Sequence, residues 1–175
     1  LEPESFDYIV GDLVFTQVES NNQSFFVGKL ASLLKQGGNF IVRMQLCNTN
    51  FDNKDPKEII EGILCSHDFK NTTEQRLALL FRLKDRLRDK QTHTTSLDTI
   101  TNELLKYDTT DEKKQDFLRS IIKMISRRAD IGLPFITQTK DELEKIISND
   151  FSLVASGTAS DYESEYFPIY FTKKV

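Results

Sequence analysis

The chain has 175 residues, 38% hydrophobic and 29% charged, with 13 Phe and no Trp, which excludes a disordered or collagen-like polymer and fits one soluble globular domain. A net charge of −4 at pH 7 argues against a surface that neutralises nucleic-acid phosphates, although local basic patches stay open. No apolar run reaches the roughly 20 residues that a membrane-spanning helix requires.

The opening residues, Leu1 to Ser5, carry no basic segment followed by an apolar one, so no secretory signal is read there and a cytoplasmic protein is expected. Phe6-Asp7-Tyr8-Ile9-Val10-Gly11-Asp12 then has a short apolar run that stops at Gly-Asp, the pattern of a buried parallel strand ending at a loop. After the polar break at Glu19–Gln23, apolar residues at 26, 27, 30, 33 and 34 define one face of a helix over about 24–35. Gly37-Gly38 reads as the stop of that helix, and Phe40–Met44 as a second strand. Strand, helix, strand at this spacing is a βαβ unit with parallel strands and a right-handed crossover.

From Pro56 to about Ala129 the pattern turns to charged amphipathic helix. Four helices are expected. One carries the stripe Leu77, Leu80, Phe81, Lys84, Leu87; the next is capped by Thr95 or Ser96; the last is capped by Asp111 and ends at Gly132-Leu133-Pro134. The α/β character then returns: Thr139 with Glu142 spells a capping box before a helix over 140–147, and Phe151–Ser156 and Pro168–Thr172 read as the last two strands. The two cysteines, Cys47 and Cys65, are too few for a disulfide framework. Cys65 and His67 have too few partners for zinc, so no metal site is expected.

The phrase Phe6-Asp7-Tyr8-Ile9-Val10-Gly11-Asp12, followed by Leu33-Leu34-Lys35-Gln36-Gly37-Gly38-Asn39-Phe40-Ile41-Val42, resembles the fourth strand, its helix and the fifth strand of class I S-adenosylmethionine-dependent methyltransferases. The ending is similar as well: a Glu-Leu helix before Asp150-Phe151, a strand, a loop and a last strand. The resemblance covers about half the chain. It implies a partial Rossmann-like α/β sheet, strands in the order fourth, fifth, seventh, sixth with the last one antiparallel, formed by residues 1–55 and 131–175. Residues 56–130 would be a helical insertion, either a substrate cap or an interface subdomain. The family's Gly-rich turn under the cofactor is absent from this sequence: none of its seven glycines makes a Gly-x-Gly after a strand. Such a turn lets backbone approach the ligand, and distant glycines cannot replace it. The expectation is therefore a truncated domain that binds S-adenosylmethionine weakly or not at all.

Open α/β sheets place ligands at the carboxyl ends of their strands. By the resemblance, Gly11, Asp12, Leu13 and Phe15 would border the methionine part of the cofactor, with Asp12 capping the following turn as the alternative. Arg43 and Gln45 could touch a substrate at the end of the second strand, or Arg43 could make a surface ion pair. Tyr162 and Tyr166 could line an acceptor entrance, or pack half-buried with a solvated hydroxyl. Arg127-Arg128 and the charges from Arg82 to Lys90 read as a solvated helix face, and no catalytic residue is assigned.

The implied activity is methyl transfer to a small-molecule acceptor by the parent protein. Asp-Pro-Pro-Tyr-like phrases for gripping a flipped base are absent, which argues further against nucleic acid. The alternative is a non-catalytic module that associates through its helices. An open edge on the Tyr8–Gly11 strand would invite a partner, either an amino-terminal half or a second copy.

Overall fold

The computed structural model describes residues 1–129, 134–158 and 164–175, apart from the side chains of 127–129. It separates into two units, one formed by Leu1–Cys47 with Ile136–Val175 and the other by Asn48–Phe135.

The first unit is a four-stranded mixed sheet flanked by helices. Its strands are β1 (Phe6–Asp12), β2 (Leu34–Arg43), β5 (Phe151–Gly157) and β6 (Ile169–Lys174), in the order β1-β2-β6-β5. β1 and β2 are parallel, whereas β6 runs antiparallel to both β2 and β5. Helices α1 (Gln23–Leu33) and α6 (Lys140–Ile147) contribute Val27, Ala31, Leu143 and Ile147 to a core shared with Phe40, Val42, Met44, Phe151 and Tyr170. Phe40 and Phe151 pack against each other with tilted rings, 5.6 Å between centroids. Each such side chain taken fully out of water contributes about 2–3 kcal/mol. α6 begins with the expected capping box: the Glu142 backbone N–H donates to Thr139 Oγ1, while Thr139 N–H donates to the Glu142 carboxylate at 2.7 Å.

Two sequence expectations need correction. Gly37-Gly38 does not stop α1, which ends at Leu33 and passes straight into β2 through extended Leu34. The glycines instead sit inside β2, in an irregularity where the register jumps from Phe6↔Leu34 to Tyr8↔Asn39. Gly37 has φ of +73°, and a Cβ on Gly38 would lie 2.9 Å from the Lys35 carbonyl oxygen and 3.2 Å from that of Asp7. The chain thus needs glycine here to fold its surplus residues against β1. The second correction concerns β1, which is not buried on both faces. Ile9 and Gly11 point toward the core alongside their partners Phe40 and Val42, but Tyr8 and Val10 are 63% and 75% exposed. Phe171 on β6, paired with Ile41, is 42% exposed on that same outer face.

The second unit is helical: α2 (Pro56–Cys65), α3 (Thr72–Arg86), α4 (Leu97–Lys106) and α5 (Glu112–Ala129), with the short strand β3 (Thr94–Thr95); β4 (Phe135–Ile136) falls at the boundary of the two units. Asp55, Asn71 and Ser96 cap α2, α3 and α4 by accepting from backbone N–H groups in their first turns. The apolar stripes meet in a core that includes Ile60, Ile63, Leu79, Leu83, Ile100, Leu104 and Ile121, all nearly inaccessible to solvent. Lys84 belongs to the same interior and pairs with the adjacent Asp85, whose other carboxylate oxygen accepts from the Asn48 N–H at 3.0 Å. The Gly132-Leu133 break lies outside the described residues.

Candidate functional site

The parallel pair β1 and β2 ends in a loop cluster, and most of the sequence-selected residues gather there. Beyond β1, Leu13 adopts a left-handed conformation with φ of 52° and donates its N–H to the Arg43 carbonyl at 2.9 Å. This hydrogen bond ties the start of the post-β1 loop to the end of β2. Gly11 is buried, and a Cβ there would press on Val14 at 3.1 Å and 3.2 Å, so the loop folds back over a position that admits little more than hydrogen.

Asp12 and Arg43, paired across the strand ends, form a two-point ion pair: Arg43 Nε donates to Asp12 Oδ1 at 2.6 Å and an Nη to Oδ2 at 3.0 Å. Their side chains are 66% and 40% exposed, so the pair stands at the mouth of the strand ends and is worth at most about 1 kcal/mol to stability. The fork geometry nevertheless fixes the carboxylate's direction. Gln45 is buried at 8% exposure just beyond β2. The segment around it is laced to the approach to β6, with Met44 N–H donating to the Pro168 carbonyl at 2.9 Å and Leu46 N–H to that of Tyr166 at 2.8 Å. Tyr166 is half-buried and packs against the core cluster. The strand ends therefore bring together Gly11, Asp12, Leu13, Arg43, Gln45 and the Tyr166 segment.

Phe15 has a different position. Its ring is 3% exposed and meets Phe26 edge-on at 5.9 Å, so it anchors the loop into the core from below. Tyr162 lies outside the described residues, as do the side chains of Arg127 and Arg128.

One residue that positions the loop was not apparent from sequence. Gln23, completely buried at the start of α1, donates through Nε2 to the carbonyls of Phe15 at 3.1 Å and Val18 at 2.9 Å. It pins both ends of the short 3-10 turn Val14–Gln17. The available signal was a polar residue one turn ahead of Val27, on the face that the helix buries, but a glutamine at a helix start reads equally well as solvated.

At the opposite edge of the sheet, Glu144, Phe151, Leu153 and Tyr170 border a shallow, mainly apolar cavity of about 190 Å³. Tyr170 donates its hydroxyl to Glu144 Oε1 at 2.9 Å. Burial, reinforced by that hydrogen bond and by the carboxylate's charge, pushes the phenol above its ordinary range. It is a structural donor and has no proton to give up near neutrality. Among the described residues no group of three or more His, Cys, Asp or Glu is arranged to hold a metal ion. No described helix is long and apolar enough to cross a membrane.

No family model matches the chain, and no curated protein does. Among solved structures it is similar to the PH0226 protein from Pyrococcus horikoshii OT3, with 11% identity and a TM-score of 0.49 over 99% of this chain. The chain spans about half of that protein, 53% of its length.

Proposed function

We propose that this chain is the carboxyl-terminal part of a class I S-adenosylmethionine-dependent methyltransferase domain that transfers a methyl group to a small-molecule acceptor. The observation that carries the reading is the order β1-β2-β6-β5, with β1 and β2 parallel and the last strand inserted antiparallel. It accompanies the phrases Phe-Asp-x-Ile-Val-Gly-Asp and Leu-Leu-Lys-Gln-Gly-Gly on the two parallel strands. In this reading β1, β2, β5 and β6 are the family's fourth, fifth, sixth and seventh strands, and the helical unit is the insertion.

Methyl transfer from a sulfonium is an in-line displacement that needs alignment and water exclusion more than a particular side chain. Gly11, Asp12 and Leu13 would border the methionine part of the cofactor. Arg43 would hold the Asp12 carboxylate in one orientation, and Gln23 would keep the following turn in place. Gln45 and Tyr166 would face the acceptor side. The groups that bind the rest of the cofactor would come from a Gly-rich amino-terminal half that pairs with the open edge of β1 and covers the outer face on which Tyr8 and Val10 are exposed.

The test is Asp12→Asn in the protein extended upstream to include that half. Loss of a charged acceptor at the cofactor should weaken S-adenosylhomocysteine binding about tenfold or more, with the thermal midpoint nearly unchanged because the Asp12–Arg43 pair is exposed. Unchanged affinity would remove Asp12 from the site.

A further inference from the structure

We infer that the helical unit carries a binding pocket for a small phosphate ester, formed where the first turns of α3 and α5 meet the end of α2. The pocket is an open cavity of about 460 Å³. Arg76 lines it from α3, and Lys113 and Lys114 line it from α5. Leu64 and Phe117 supply an apolar wall, and Thr72 a hydroxyl beside the start of α3.

Two features single this cavity out. First, Arg76 Nε is shielded from solvent yet has no hydrogen-bond partner among the described residues. Arg76 as a whole is half-buried, and a sheltered donor without a partner on its cationic group favours an acceptor at that spot. Second, the cations are not consumed by the acids around them. Asp111 accepts from the backbone N–H groups of Lys113 and Lys114 at 2.9 Å and 3.3 Å, serving as the cap of α5. Asp116 is engaged by Arg119 at 3.1 Å. The side chains of Arg76, Lys113 and Lys114 thus remain available at the opening.

Three cations and the carboxylates of Asp111 and Asp116 line the opening, an excess of one positive charge that favours an anionic group, and Arg76 supplies a planar fork suited to phosphate oxygens. The apolar wall leaves room for an organic body beside the phosphate. The inference concerns residues of the helical unit alone and stands whether or not the sheet belongs to a methyltransferase.

The experiment is titration of phenyl phosphate, and separately of inorganic phosphate, into the isotopically labelled 175-residue chain, with amide resonances followed by NMR at about 150 mM salt to screen diffuse attraction. Saturable shifts confined to residues 72–76 and 112–117, with phenyl phosphate binding more tightly than inorganic phosphate, are expected. Arg76→Met should lower the affinity about tenfold or more, and a Lys113→Met/Lys114→Met double variant should do the same without touching the buried side of the pocket. Shifts scattered over every basic surface, no saturation, or undiminished binding by the double variant would overturn the inference.

Discussion

Replacing Gly38 by alanine tests the β1–β2 join more sharply than any core truncation, because a single methyl group meets backbone there. The added Cβ would sit 2.9 Å from the Lys35 carbonyl oxygen, 3.1 Å from Leu34 Cδ2 and 3.2 Å from the Asp7 carbonyl oxygen. Two of these three neighbours are main-chain atoms of the paired strands, and neither can swing aside as a long side chain can. Relief requires moving β2 relative to β1, in the region where Phe6↔Leu34 and Tyr8↔Asn39 bracket the surplus residues. Overpacking of this kind costs about 1–3 kcal/mol. For a unit of this size, about 2 kcal/mol lowers the thermal midpoint by roughly 8–16 °C. Gly28 supplies the control: it lies within α1, and a Cβ there would meet only Asp150 Oδ2 at 3.9 Å. Gly28→Ala should stabilise by about 0.5–1 kcal/mol, the helix-propensity gain of alanine over glycine. Both variants can be followed by circular dichroism melts under identical buffer. A Gly38→Ala midpoint at or above that of the parent would refute the bulge geometry.

Other expectations follow from single interactions. Asp85→Ala, which removes one carboxylate from buried Lys84 and the acceptor of the Asn48 N–H, should cost about 1–3 kcal/mol in urea denaturation; an unchanged stability would mean that water reaches the pair. Thr139→Ala removes one side of the α6 capping box and should cost about 1 kcal/mol, read from the same assay. The Tyr170 phenol has its folded pKa raised above 10.0, so its contribution is complete below that ordinary value and is lost as pH climbs through the higher folded value. Ultraviolet difference titration of the parent against Tyr170→Phe should place its ionisation above the ordinary phenol range, and ionisation near pH 10.0 would contradict its burial against Glu144.

Much of this fold is legible in the sequence because its signals are local. Ser96, Asp111 and Thr139 announce helix starts through their own side-chain chemistry, and the apolar stripe of α3 repeats at the helical period. The apolar run of β1 and its Gly-Asp stop also mark a strand and its end. What the sequence hides is context. Gly37-Gly38 has the same composition whether it ends a helix or relieves a crowded strand, and only the nearness of Asp7, about thirty residues earlier in the chain, decides for the strand. Apolar Tyr8 and Val10 read as buried because periodicity reports what a strand can bury and says nothing of which neighbour covers it. At the candidate site, Asp12 and Arg43 were each selected for standing at a strand end, but their mutual ion pair depends on a pairing register that no local pattern encodes. Gln23 escaped notice for the same reason, since its partners are backbone carbonyls.

The proposed methyl transfer requires a cofactor site completed by a Gly-rich half. Calorimetric titration with S-adenosylhomocysteine, performed on this chain and on the protein extended upstream through that half, tests for that site. Binding by the extended protein, with weak or no binding by the 175-residue chain alone, is the expected result. Absence of binding in both would contradict it and leave the α/β unit as a module for association.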